Sequence, residues 1–149
     1  LGNQACPEGY TSVGGLGADV VCDLNQGIPL PDNSVGVLRA HHVLQKLQNP
    51  QALMSEIHRV LADGGWALIE VPSTDGRGAF QDPTHVSWWN ENSFWYYTRA
   101  DKASFINNTA TRFQEWRLDT SWWPDHIAVT TAWLVALKSD ARRPHPVRI

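Results

Sequence analysis

The side chains able to do chemistry fall at a few places along the chain. Asp23 follows a short apolar run, Ala18 to Cys22. The pair His41–His42 follows another, Val35 to Ala40. Pro72, Ser73, Thr74 and Asp75 follow a further run, Trp66 to Val71. Further on, the tetrapeptide Asp82-Pro83-Thr84-His85 sits in an aromatic stretch holding Phe80, Trp88, Trp89, Phe94, Trp95, Tyr96 and Tyr97. A carboxylate can accept a hydrogen bond from an exocyclic amine, and an adjacent backbone N–H can donate to a ring nitrogen. An imidazole can take up or release a proton near neutral pH. A carboxylate three residues away can orient it, which makes His85 a candidate general base and Asp82 its partner. Each residue also has a plainer reading. Asp23 suits a turn or a cap. His41 and His42 suit core or helix-start positions, and for His42 that reading is the preferred one. His85 could bond backbone inside an aromatic cluster.

These residues need elements to position them. Tyr10–Val13, Ala18–Cys22, Val35–Ala40 and Trp66–Val71 read as short strands. The third is apolar nearly throughout, as a strand covered on both faces would be. Asn49 and Pro50 announce a helix, since Asn caps and Pro suits the first helical position. Leu53, Ile57, Val60 and Leu61 form its apolar stripe, and Gly64–Gly65 are expected to end it. Residues 72–99 read as a largely irregular insertion whose aromatics form a satellite core. Residues 100–107 suit a short helix. Arg112–Asp119 and Ala128–Lys138 read as an antiparallel pair at a sheet edge. The pattern is that of an α/β sheet, in part parallel. In such sheets ligands lie beyond the carboxyl ends of the strands. That rule gathers Asp23, Ala40, His41, His42 and Pro72–Asp75 toward one crevice.

The 149 residues make one domain, read as 1–138 with a loose tail from Ser139 to Ile149. Apolar residues are 42% of the chain, which excludes a disordered polypeptide. A net charge of −3 gives no basic surface, so a nucleic-acid partner is not expected. No apolar run approaches the ~20 residues of a membrane span, and no signal peptide opens the chain. A soluble, cytoplasmic protein is expected. Cys6 and Cys22 are too few for a disulfide scaffold and lack metal-ligand spacing, so they read as free thiols. The chain opens on Leu1, the mark of a processed, cut or incomplete sequence.

The stretch ADVVCDLNQGIPLPDNSVGVLRAHHVLQKLQNPQALMSEIHRVLADGGWALIEVPS, residues 18–73, resembles the centre of a class I S-adenosylmethionine-dependent methyltransferase of type 11. The resemblance lies in a strand ending at Asp23, a polar turn, and a strand followed by His42-Val43-Leu44. A helix ending RVLADGG and a strand ending Val71-Pro72 complete it. It implies a Rossmann-like, mostly parallel sheet with an antiparallel C-terminal hairpin at one edge. It implies S-adenosylmethionine as cofactor and a small-molecule acceptor methylated at O or N. By the same resemblance Asp23 meets the adenine amino group with the Leu24 backbone beside it, and Ala40 and His41 pass the methionine moiety. Gly2 and Asn3 stand at the remnant of the glycine-rich loop, and Gly14 at the ribose. Gly64 and Gly65 match a structural turn. The segment Gly78–Thr98 resembles an insertion of some bacterial and phage members. There His85, with Asp82, would serve as base, and aromatic walls would shield the sulfonium.

The departures are equally specific. Only Leu1–Gln4 stand where the family has its glycine-rich loop, and its first strand has no counterpart in the sequence. Gly14 replaces the acid that binds ribose, and the next carboxylate is Asp19. Gly36 replaces another acid, and Gln45-Lys46 replace a Glu-His pair. A missing central strand would leave edges that a second copy of the chain could cover. The alternative to an enzyme is therefore a degenerate methyltransferase fold serving as a binding or assembly module.

Overall fold

The structure, a computed structural model, describes residues 8–139; the expectations for Gly2, Asn3, Cys6 and residues 140–149 lie outside it. Chain order is β1 (Val13–Gly14), β2 (Val20–Val21), β3 (Val35–His41), α1 (Pro50–Val60) and β4 (Leu61–Pro72). Then follow α2 (Gly78–Gln81), α3 (Glu91–Thr98), α4 (Ala100–Ala103), β5 (Arg112–Trp123) and β6 (Ile127–Leu137). A four-stranded sheet runs β3-β4-β6-β5, and β1 and β2 form a separate pair. Pairs β1–β2 and β3–β4 are parallel. Pairs β4–β6 and β6–β5 are antiparallel. The expected edge hairpin is present, with β5 outermost. Among the described residues, β3 has a strand partner on one side only.

α1 starts as its sequence dictates. The Asn49 side chain accepts from the Ala52 N–H at 3.0 Å, and Pro50 takes the first helical position. Leu53, Met54, Ile57 and Val60 are buried. The helix ends earlier than the glycine pair suggests. It stops at Val60 because Leu61 is already extended and pairs with Val35. Gly64 and Gly65 instead lie inside β4, where the register slips between the Val35–Leu61 and Val37–Trp66 partners. The slip sets five residues of β4 against two of β3, and within it Gly64 takes the φ of +78° that a glycine adopts without strain.

Alternation along the strands separates two faces of the sheet. Leu38, Ala40, Ala67, Ile69, Val71, Ala132, Leu134 and Ala136 are buried and join the core with α1. Trp66, Leu68, Glu70, Thr131 and Trp133 share the other, half-exposed face. Covering of β3 on both faces is thus corrected: Val37 and Arg39 are exposed among the described residues. The aromatic segment is also corrected. It holds α2 and α3, and Trp89, Phe94 and Tyr97 belong to the main core rather than a satellite. Phe80 and Trp88 are exposed, and Arg99 stacks on Trp95 at 3.8 Å from the ring centre.

One clamp on α1 fixes the loop after β2. Arg59 forks onto Glu56, with Nε–Oε1 at 2.7 Å and Nη2–Oε2 at 2.8 Å. It also donates to the carbonyls of Ile28 and Leu30 and to Asp32. Glu56 in turn accepts from the Ile28 N–H. Planar, forked donation is what arginine does and lysine cannot.

Candidate functional site

The carboxyl ends of β3 and β4 bring three titratable side chains together. Parallel pairing sets His41 opposite Glu70, and the His41 Nε2 lies 2.7 Å from Glu70 Oε1. The next residue, His42, should point to the opposite face of the strand. Its backbone instead takes φ +53°, a conformation that costs an ordinary residue about 1–2 kcal/mol. The turn brings its Nε2 to 3.4 Å from the same Glu70 oxygen. The two imidazole rings meet edge to face with centroids 4.6 Å apart. The His42 N–H donates to the Glu70 carbonyl, which anchors the bend. Burial, and after it the neighbouring His41, holds the His42 imidazole below the usual histidine range and favours its neutral form. His41 and Glu70 line a cavity of about 400 Å³ together with Tyr10, Arg39, Arg117 and Trp133. Ala40 is fully buried beneath them.

Asp23 stands two residues beyond β2, and Leu24 is buried beside it. The Asp23 Oδ1 caps the turn Leu24–Gln26, accepting from the Asn25 N–H at 2.9 Å and its amide at 3.0 Å. The capping role read from its type is real. Its carboxylate also borders a second cavity, about 360 Å³, shared with Cys22, Gly27, Ile28, Glu56 and Arg59. Cys22 is a free thiol. Gly14 is buried in β1, and no acid replaces it there. Asp19 is occupied in tying Ser12 across the β1–β2 pair, accepting from its N–H and its hydroxyl.

His85 and Asp82 come together as their spacing suggests, with Nε2 3.4 Å from Oδ2. The His85 side chain is only 6% exposed, and its Nδ1–H donates to the Ala79 carbonyl at 2.9 Å. Asp82 is held by Thr84, whose N–H and hydroxyl both donate to Oδ1. These bonds keep the Asp82 carboxyl below the usual carboxylate range. Ser73 is buried and donates to Asp75, while Thr74 accepts from Asn90. Gln45 is also buried, and its Oε1 has no hydrogen-bond partner among the described residues.

Glu70 is the residue that sequence reasoning misses. It lies inside an apolar strand, and only the pairing with β3 makes it a neighbour of the histidines. The one available signal is a charged residue within a run otherwise apolar from Trp66 to Val71.

A family model described as a methyltransferase domain matches residues 9–69, which is β1 through most of β4. No curated protein sequence matches the chain. Among solved structures, one is the Haloferax volcanii complex of the Trm112 methyltransferase activator with a protein assigned as a methyltransferase. It is 13% identical, covers 83% of this chain and 62% of that one, and has a TM-score of 0.62. A SAM-dependent methyltransferase from Aquifex aeolicus is 17% identical, covers 82% and 58%, and gives 0.51. A Bacillus halodurans protein assigned as a methyltransferase is 12% identical, covers 87% and 82%, and gives 0.58. This chain therefore spans 62% and 58% of the length of the first two. Residues 9–69 match the methyltransferase domain model, and the chain shares the α/β fold of these methyltransferase structures.

Proposed function

We propose that the chain is the core of an S-adenosylmethionine-dependent methyltransferase acting on a small-molecule oxygen or nitrogen. The observation that carries this is the placement of Asp23 and His41 within the family match. Each stands at or just past the carboxyl end of a parallel strand, Asp23 beside the cavity it shares with Glu56 and Arg59 and His41 beside a separate one shared with Glu70 and Trp133. Pockets of a few hundred Å³ at strand ends are where α/β proteins hold ligands.

S-adenosylmethionine supplies an electrophilic methyl carbon on a sulfonium. The rest falls to the chain. Asp23 accepts from the adenine amino group, and the Leu24 N–H donates to the ring. Gly14 leaves the ribose room without a charged partner. His41 borders the methionine end, with Ala40 buried beside it. The acceptor's proton passes to His85 as its oxygen or nitrogen takes the methyl group, and Asp82 orients the imidazole. Because both His85 nitrogens face protein partners, this step requires the Asp82 side of the ring to open toward the acceptor.

Calorimetric titration with S-adenosylmethionine and S-adenosylhomocysteine tests the reading. Binding at 100 times the dissociation constant raises stability by about 2.7 kcal/mol. Asp23→Ala should weaken it by roughly tenfold or more, the loss of a charged hydrogen bond. His85→Ala should lower turnover by about a hundredfold, and parental turnover would remove His85 from the reaction. Absence of binding at millimolar cofactor overturns the enzyme reading. The binding or assembly module would then stand, a reading favoured by Gly14 in place of the ribose acid.

A further inference from the structure

We propose that His41, His42 and Glu70 form a binding site for a divalent transition-metal ion of the imidazole-preferring class, such as Zn²⁺ or Co²⁺. Their ligand atoms all lie within 4.8 Å of one another. Both imidazole Nε2 atoms converge on one carboxylate oxygen, at 2.7 and 3.4 Å. Metal–ligand bonds of about 2.0–2.2 Å place neighbouring donor atoms roughly 3 Å apart, so small shifts of these side chains admit an ion between them. The side chains are 26%, 29% and 28% exposed, open enough for an ion to enter and covered enough to hold their geometry.

A histidine–glutamate ion pair accounts for His41 but not for His42. A strand would send the second imidazole to the other face. The left-handed backbone at His42 is what returns it to the first. Two imidazoles and one carboxylate are a donor set that suits zinc, cobalt, nickel or iron(II). Magnesium and calcium favour all-oxygen sites and are excluded by it. Three protein ligands also leave coordination positions open. His41 and Glu70 also line the cavity of about 400 Å³, which gives a further ligand a route to the ion.

This inference does not rest on methyl transfer and is tested without any nucleoside. The chain, stripped with a chelator, is titrated with Co²⁺ and followed by its visible absorption, then with Zn²⁺ by calorimetry. One ion per chain is expected, with Zn²⁺ displacing Co²⁺ and a millimolar excess of Mg²⁺ failing to do so. His42→Gly removes a ligand and at the same time relieves the positive φ, so the variant folds. It should bind Co²⁺ at least about tenfold more weakly, as should Glu70→Gln. Thermal unfolding of both variants confirms that the fold is intact. Equal affinity in the parent and the variants would place the ion elsewhere and overturn the site. So would displacement by Mg²⁺, or no saturable binding at millimolar Co²⁺.

Discussion

His58 links α1 to β6 with a single bond and carries a pH dependence with it. Its Nε2–H donates to the Leu137 carbonyl at 2.9 Å, and its ring meets Phe113 edge to face at 5.3 Å. Burial pushes its imidazole below the usual value of 6.5, the largest of the influences on it. The unfolded chain therefore binds a proton more readily than the folded one. Stability from this group is complete above pH of about 6.5 and is lost as pH falls through the lower folded value. Urea midpoints measured from pH 7 to 5 should fall, and fall less steeply in His58→Gln, which keeps a donor. His42, shifted the same way, contributes equally to both proteins. Equal slopes would show that His58 is not the group responsible. At this scale the sequence was partly legible. Asp23 and the Asp82–His85 pair stand out by type and spacing, because their interactions are local. The meeting of His42 with Glu70 depends on strand pairing and on one backbone torsion, and residue types alone do not report either.

Element boundaries follow the same division between local and distant causes. Asn49 and Pro50 start α1 through bonds made within four residues, so the start was readable. Its end is set by Leu61 pairing with Val35, a partner distant in sequence. Gly64 and Gly65 lie in the register slip at the start of β4, although glycine after a helical stripe reads as a stop. The aromatic segment escaped in the same way: whether Trp89 and Phe94 form a satellite or join the core depends on where the sheet lies. A sharper local requirement sits at Gly27, with φ +112° at the end of its turn. A Cβ there would lie 2.9 Å from Glu56 Oε2, the oxygen that Arg59 and the Ile28 N–H share. Gly27→Ala should destabilise by about 1–2 kcal/mol from the backbone alone. Denaturant unfolding checks this. The loss should be smaller in a Glu56→Ala background, where the collision is absent.

Across the whole molecule, the pairing pattern divides the sheet into strong and weak parts. β4 and β6 have strand partners on both sides, whereas β1 and β2 pair over only two residues each. Native-state hydrogen exchange should find the slowest amides in β4 and β6, and the β1–β2 pair should exchange fastest among the strands. Uniform protection would contradict a division of this kind. The half-exposed face, with Trp66, Leu68, Glu70, Thr131 and Trp133, carries the cavity that His41 and Glu70 line, and with it the proposed metal site. The core face carries α1 and the buried aromatics. β5 and β6 pair without a break from Arg112–Leu137 to Trp123–Ile127 apart from one bulge near Trp116. Their turn is only Pro124–His126, so pairing starts at Trp123–Ile127, close in sequence, and extends outward to Arg112–Leu137. Loop closure there is cheap in entropy, while joining β4 to β6 must close a loop of some sixty residues. By loop-closure entropy the C-terminal hairpin is expected to form before β4 joins it. It offers β6 as a template on which β4, and through it the histidine-bearing strand β3, is assembled afterward.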